Sequence, residues 1–185
     1  MNIKLLSEEF MRENKDIINI IDWINISIYQ KLSEGFIREF QDKVDWLFIS
    51  KFQKLSENFI REFKDEVNWY LISIYQKLSE NFIIEFQNEI DWEEISCYQK
   101  LNEDFIIEFQ DKVNWYYISQ YQNLNLNFII KYKEKIDFEI LLLKYNYNSI
   151  KIGKLYQIKN YSSNYLNYSE FVNLALKLIS LKAFQ

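Results

Sequence analysis

Carboxylates are the side chains whose repetition in this sequence could carry chemistry. They form two rows with a spacing of 23 residues, Glu34, Glu57, Glu80 and Glu103 in the first and Glu39, Glu62, Glu85 and Glu108 in the second. Paired carboxylates can act as general acid and base or bind Ca²⁺. The sequence around them lacks a glycine-bearing calcium loop, and helical spacing places both rows on a polar side. We therefore expect a solvated acidic face, with attraction to a basic partner as the alternative role.

Other catalytic chemistry is disfavoured by the composition. The 185 residues include no histidine, and Cys97 is the single cysteine. Histidine is the commonest general base, and a zinc cluster needs several cysteines or histidines. A serine nucleophile would also need a neighbouring base. The sequence therefore predicts no enzymatic activity, no cofactor and no bound metal, with a carboxylate-only enzyme as the remaining catalytic alternative.

Serine and glutamine form two further rows with the same spacing. The serines are Ser27, Ser50, Ser73, Ser96 and Ser119, and the glutamines are Gln30, Gln53, Gln76, Gln99 and Gln122. Both rows lie near the end of a predicted helix in each copy. We predict that they satisfy backbone groups at helix ends between neighbouring copies.

A tandem repeat positions all these rows. The five tryptophans are 23 residues apart, at Trp23, Trp46, Trp69, Trp92 and Trp115. The copies begin near residues 6, 32, 55, 78, 101 and 124, so that the predicted array spans residues 1–146. A fixed period of this length is typical of repeat folds, in which each unit buries its apolar face against its neighbours.

Each copy reads as two short helices. In residues 55–77, LSENFIREFKDEVNWYLISIYQK, Ser56 is a predicted N-cap, and Asn68 is a second one. Apolar residues follow the first cap at helical spacing, and Trp69, Ile72 and Tyr75 are predicted to share one side of the second helix. Proline is absent and strict alternation is missing. The predicted fold is all-α, a solenoid of stacked short helix pairs with the five tryptophans in its core.

The tryptophan row has an alternative interpretation, because aromatic faces also stack on nucleic-acid bases. Residues 1–146 carry 17 Lys and Arg against 26 Asp and Glu, a net charge of −9. This charge disfavours binding to phosphates, and we interpret the tryptophans as structural.

The two ends of the array differ from its middle. The first copy is three residues longer than the others and has Asn14 at an apolar position, whereas the last copy has Phe138 in place of tryptophan. Residues 147–185 are not a repeat and carry five Lys and one Glu. We predict that this segment caps the array, with docking of a partner as the alternative, and that residues 169–184 form an amphipathic helix.

The repeat unit resembles a known one. The pattern L-S-E-x-F-I-x-E-F-Q-D-K-V-D/N-W-x-x-I-S-x-Y-Q-K is similar to tandem repeats in proteins of giant, mimivirus-like DNA viruses and of some bacteriophages. The resemblance covers residues 6–146, and residues 55–77 and 101–123 follow the pattern with little departure. It implies a viral origin and a repeat fold, and it carries over no functional residue.

Some positions change chemistry from copy to copy while the framework stays constant. They are the two residues after each tryptophan and the fifth residue after it, which share one face of the second helix. Repeat arrays vary such a face to select a partner, although drift after duplication would give the same pattern. The candidate partner-binding residues are Leu47, Phe48, Lys51, Tyr70, Leu71, Ile74, Glu93, Glu94, Tyr116, Tyr117 and Gln120.

The sequence therefore predicts a non-enzymatic scaffold or adaptor that binds a host or virion protein. A structural component that self-associates is the first alternative, and nucleic-acid binding through Lys151, Lys154 and Lys159 is the second. The N-terminal residues do not read as a signal peptide and no stretch is long enough to span a membrane. We expect a location in the host cytoplasm or the virion.

Overall fold

A computed structural model describes residues 6–144, together with Asn173, Leu176 and Lys177, which are helical. Residues 6–144 form α-helices and contain no strand, which confirms the all-α repeat fold. The first helices of the six copies are α1 (Glu8–Glu13), α3 (Glu34–Glu39), α5 (Glu57–Glu62), α7 (Glu80–Glu85), α9 (Glu103–Glu108) and α11 (Leu126–Lys131). The second helices are α2 (Ile20–Tyr29), α4 (Trp46–Phe52), α6 (Trp69–Tyr75), α8 (Trp92–Tyr98), α10 (Trp115–Tyr121) and α12 (Phe138–Lys144).

Side-chain caps define where these short helices begin. The Ser56 Oγ accepts a hydrogen bond of 3.2 Å from the Phe59 N–H at the start of α5. At the start of α4, Asp45 accepts from the N–H groups of Leu47 and Phe48. Each cap stabilises a helix by about 1 kcal/mol. Helices of six or seven residues do not persist alone in water, so packing between copies must supply the rest.

Two adjacent residues of each helix from α2 to α12 are buried in the core, and α1 contributes Met11. In the third copy, Phe59 and Ile60 of α5 are fully buried, as are Ile72 and Ser73 of α6. A fully buried Phe or Ile side chain contributes about 1.5–3 kcal/mol relative to an exposed one. The same positions are buried in the copies on either side, so the core continues along the array.

The chain consists of two compact units, Met1–Gln99 and Lys100–Gln185. In the first unit the second helices pack in sequence, α2 against α4, α4 against α6 and α6 against α8. In the second unit α10 packs against α12. The predicted boundary after residue 146 and the predicted helix at 169–184, apart from three of its residues, lie outside the described part of the chain.

The extra residues of the first copy extend its second helix. Helix α2 has ten residues where α4 has seven, and Asn19 caps it together with Asp22. The added turn exposes Ile20 and Ile21, and Ile17 just before it is also exposed. In the later copies, the tryptophan Nε1 donates a hydrogen bond to a carbonyl in the turn before the second helix. The insertion separates Trp23 from that turn. The buried Trp23 Nε1 has no hydrogen-bond partner among the described residues.

Candidate protein-binding surface

Buried glutamines fix each repeat on the one before it. The Gln53 Nε2 donates to the carbonyls of Ser27 and Gln30, at 3.0 and 2.8 Å, and its Oε1 accepts from the Leu32 N–H at 3.0 Å. Gln76 repeats the arrangement one copy later. Each of these amides therefore satisfies three buried backbone groups. The predicted role of the glutamine row is confirmed.

The serine row makes a second set of links to the backbone. The Ser50 Oγ donates to the Trp46 carbonyl at 2.7 Å and accepts from the Asn68 N–H of the next copy at 2.9 Å. Ser27 makes the same pair of bonds with Trp23 and Asp45. The hydroxyl thus joins one second helix to the N-cap of the following one, as predicted.

The two carboxylate rows lie at the surface, as predicted, and they also join neighbouring copies. In the first row, Glu34 and Glu57 each accept a hydrogen bond of 2.6 Å from the N–H of the serine that caps the next copy. In the second row, Arg38 pairs with Glu62 and Arg61 with Glu85, both at 2.8 Å. These side chains stay partly exposed because their partners lie at the surface.

The tryptophans lie at the edge of the core rather than in its middle. Trp23 is buried, whereas Trp46, Trp69, Trp92 and Trp115 are half-buried. The Nε1 of Trp46 donates to the Gln41 carbonyl at 3.1 Å, and its ring centroid is 4.9 Å from that of Phe63 in the next copy. The indole N–H needs an acceptor, and the one that it uses lies in the exposed turn between the two helices of the copy.

The variable positions lie on the outward side of the second helices. Leu47, Tyr70, Glu93 and Tyr116, which directly follow the tryptophans, are exposed. The remaining candidates are half-buried, namely Phe48, Lys51, Leu71, Ile74, Glu94, Tyr117 and Gln120, and so is Cys97. Within each described unit, the predicted residues therefore all lie on the outward side of the second helices.

A constant aromatic position beside them was missed by sequence reasoning. It is the sixth residue after each tryptophan, and in the first unit it forms what we call the aromatic row, Tyr29, Phe52, Tyr75 and Tyr98, each about half exposed. The prediction that Tyr75 shares the buried side of α6 with Ile72 is wrong, because Tyr75 is 50% exposed. At 3.6 residues per turn, a residue six positions on lies roughly 120° around the helix from the tryptophan. A helical projection of one copy would have revealed this.

The aromatic row is continuous from one copy to the next. The Lys51 Nζ lies 5.0 Å from the ring centroid of Phe52 and 5.3 Å from that of Tyr75. The two centroids are therefore at most 10.3 Å apart, the sum of these distances. Phe48 widens the apolar surface, since its ring is 6.1 Å from that of Phe52.

Acidic side chains lie at one end of this surface. The Glu94 carboxylate raises the pKa of the Tyr70 phenol above its usual value, through hydrogen bonding to the neutral phenol and through its negative charge. Glu93 is exposed beside it. In the second unit the corresponding surface is made of tyrosines, with the rings of Tyr116 and Tyr117 5.3 Å apart and those of Tyr117 and Tyr121 6.0 Å apart.

The chain matches no family model, no curated protein and no solved structure with which it was compared. Within the described residues, no helix is both long and apolar enough to cross a membrane, and no cluster of three or more His, Cys, Asp or Glu could hold a metal ion. The tail lysines Lys151, Lys154 and Lys159 lie outside the described residues.

Proposed function

We propose that this protein is a non-enzymatic scaffold that binds another protein through the outward surface of its second helices. The observation that carries the proposal is the aromatic row with its variable neighbours. Leu47, Phe52, Tyr70 and Tyr75 are all about half exposed on consecutive copies of the first unit. Tyr and Phe are enriched in the centres of protein interfaces. An apolar strip that is exposed on the surface of a protein typically marks an interaction site.

In each copy, the residues that hold the array together differ from those that face outward, and this separation supports the proposal. The glutamine, the serine and the helix caps make backbone bonds that hold the array together, and they recur from copy to copy. The residues after each tryptophan are not needed for those bonds, and they change from Leu and Phe to Tyr and Leu and then to two Glu. Variation on a constant scaffold allows an array to select one partner.

The resemblance to viral tandem repeats extends the proposal to the partner. A scaffold of giant-virus or bacteriophage origin would bind a host or virion protein and would act in the host cytoplasm or in the particle. The chemistry of the surface favours a partner with exposed apolar groups and at least one basic residue, because Glu93 and Glu94 lie on the same helix as Tyr98 of the row.

Affinity capture from the native or infected cell, followed by mass spectrometry, tests the proposal. The double variant Phe52→Ser with Tyr75→Ser removes the centre of the row, and Lys54→Ser with Lys77→Ser is the matched control at exposed positions. We expect the aromatic variant to lose a specific co-purifying protein that wild type and control retain. Equal capture by all three folded proteins, with folding checked by circular dichroism, would overturn the proposal.

A second candidate function is self-association through the N-terminal end of the array. Ile17, Ile20 and Ile21 are 79, 76 and 66% exposed, and all three belong to the lengthened first copy. A structural component would use such an end to join copies of itself. Light scattering over a range of concentrations tests this. An assembly that Ile20→Asp with Ile21→Asp dissociates supports it, whereas a monomer at every concentration contradicts it.

A further inference from the structure

The N-terminal end of the array exposes large apolar side chains to solvent. We infer that this end binds the same end of a second copy of the chain, so that two chains form a closed dimer with two-fold symmetry. The inference rests on the second candidate function, self-association, and it specifies which surfaces meet and where assembly stops. It concerns the first copy, which lies within the first compact unit.

Phe10 marks this end as an uncovered interface. Every later copy has a phenylalanine at the same position, and all five are buried, namely Phe36, Phe59, Phe82, Phe105 and Phe128. The preceding copy covers them. For Phe59, the ring centroid lies 6.2 Å from that of Trp46 and 4.9 Å from the guanidinium carbon of Arg38. Phe10, in the first copy, is 49% exposed, so a contact that recurs along the array is left open here.

Three isoleucines enlarge the apolar surface of this end. Ile17, Ile20 and Ile21 are more exposed than any other large apolar side chain in the part of the chain that the structure describes. They lie in and just before the added turn of α2, which the later copies lack. A group of exposed apolar side chains on a folded protein typically marks an interaction site. The first copy therefore offers both an open ring and an aliphatic tip to an occupant.

The C-terminal end of the array does not supply that occupant. A copy contacts the next one through a first-row glutamate, a tryptophan and, in the first three copies, an arginine. In the last copy these positions hold Leu126, Phe138 and Ile130, and Phe138 is 3% exposed, so its ring is already covered. At the N-terminal end, Asn14 replaces the second ring that a preceding tryptophan would contact. A head-to-tail contact between chains therefore cannot reproduce the contact between copies.

Exposed charges beside the apolar surface suit a two-fold contact. Glu13, Lys15 and Asp16 are all exposed and carry both signs of charge. In a two-fold interface the same surface of each chain meets the other, so that Lys15 of each chain pairs with Glu13 or Asp16 of its partner. Two acidic groups against one basic group give a nucleic acid or an anionic membrane no attraction. Because the contact uses the same surface on both chains, assembly ends at two.

Sedimentation equilibrium of the full chain over a range of concentrations tests the inference. We expect a monomer–dimer equilibrium without larger species. Phe10→Ser with Ile17→Ser should weaken the dimer at least about tenfold, because each side chain is lost from both halves of the interface. Ile130→Ser with Leu143→Ser, at two half-exposed positions of the last copy, is the matched control and should leave the dimer unchanged. Circular dichroism checks that both variants are folded.

Cross-linking separates a two-fold contact from a head-to-tail one. In a Cys97→Ser background, one new cysteine is placed at the exposed Asp16 or at the exposed Glu139 of the last copy. A short thiol-reactive linker should join two Asp16→Cys chains, because two-fold symmetry brings equal positions near its axis together. It should not join two Glu139→Cys chains. A dimer that is cross-linked through Glu139→Cys and not through Asp16→Cys would overturn the inference.

The outcomes also separate this inference from the functions proposed above. A monomer at every concentration contradicts both the dimer and the self-association on which it rests. Growth beyond two chains, or a dimer that Phe10→Ser with Ile17→Ser leaves intact, overturns the two-fold contact while self-association stands. A monomer that loses a captured protein in that variant would assign this end to a foreign partner instead. The capture experiment on Phe52 and Tyr75 concerns another surface and is independent of these results.

Discussion

The first helices of the two units are linked to their neighbours by different means. In the first unit, Arg12, Arg38 and Arg61 each pair with a glutamate of the next copy. Each guanidinium also lies about 5 Å from the centroid of a buried phenylalanine ring in that copy. Isoleucine occupies the arginine position in the fourth copy, as Ile84, and in both copies of the second unit, as Ile107 and Ile130. Lys131 there replaces the glutamate of the second row, so this ion pair cannot form.

Both units nevertheless keep the links between side chain and backbone. In the second unit, Gln122 accepts from the Leu101 N–H at 3.1 Å, and Glu103 accepts from the Asn125 N–H at 2.6 Å. The difference between the units shows which links the fold requires. Buried backbone groups need a partner in every copy, whereas an exposed ion pair adds about 0–1 kcal/mol and can be lost.

The glutamine row ends in the second unit with a different residue. The last copy has Lys144 at the position of the aromatic row, and its Nζ donates to the Gln122 carbonyl that a following glutamine would otherwise bind. Partial burial lowers the pKa of Lys144 below its usual value. The Gln122 carbonyl at the end of the row therefore still accepts a hydrogen bond, and its donor is the Lys144 ammonium.

We expect the largest loss of folding stability when the side chain of a buried glutamine is removed. Gln76→Ala leaves the carbonyls of Ser50 and Gln53 and the Leu55 N–H without their partner. An unsatisfied buried group costs about 1–3 kcal/mol, so we expect a loss of roughly 3 kcal/mol or more. Urea unfolding followed by circular dichroism measures it. Gln41→Ala, at an exposed glutamine, is the control, and an equal midpoint for both variants would show that the row is dispensable.

A smaller effect is expected at the end of the row. Lys144→Met removes one hydrogen bond to the Gln122 carbonyl, which corresponds to about 1 kcal/mol. It also removes a pH dependence. Because the lysine pKa is lowered in the folded state, the unfolded chain binds more protons, and stability rises with pH between that lowered value and 10.5.

The difference in unfolding free energy between wild type and Lys144→Met, measured across that pH range, isolates this contribution from other groups that titrate there. We expect the difference to grow in favour of wild type as pH rises. A difference that is constant with pH would mean that burial does not affect the Lys144 charge.

The exposed ion pairs should contribute less. Arg38→Ala removes the bond to Glu62 and the contact with the Phe59 ring. Since the pair is largely exposed, we expect a loss below about 1 kcal/mol, smaller at 1 M salt than at 0.1 M. Urea midpoints at the two salt concentrations measure it. Arg38→Met, which keeps much of the apolar contact, separates packing from charge. A loss as large as that of Gln76→Ala would contradict the comparison between the units.

The smallest effect is expected from adding the missing pair to the second unit. Ile107→Arg with Lys131→Glu recreates the residues that the first unit has at these positions. The gain should be a few tenths of a kcal/mol, with either single change giving less. A double-mutant cycle by thermal unfolding measures the coupling, and a coupling of zero would show that the second unit does not place these positions together.

The outward aromatic residues were only partly predictable. Leu47 and Tyr70 were identified because they vary between copies, whereas Phe52 and Tyr75 were missed because they are constant and aromatic, as core residues are. The pairing of Arg38 with Glu62 was missed for another reason. The two residues are one copy apart, and their meeting depends on how far the chain advances and turns between copies.

The sequence by itself determined the period, the helix pair, the caps at Ser56 and Asn68 and the backbone role of Gln53 and Ser50. These features depend on local geometry and on the need of every copy to satisfy the same groups. The tertiary structure decided which of the remaining aromatics are buried and which carboxylates bind the next copy. It placed Tyr75 outside and Trp69 at the edge, because burial depends on how neighbouring helices pack and not on residue type alone.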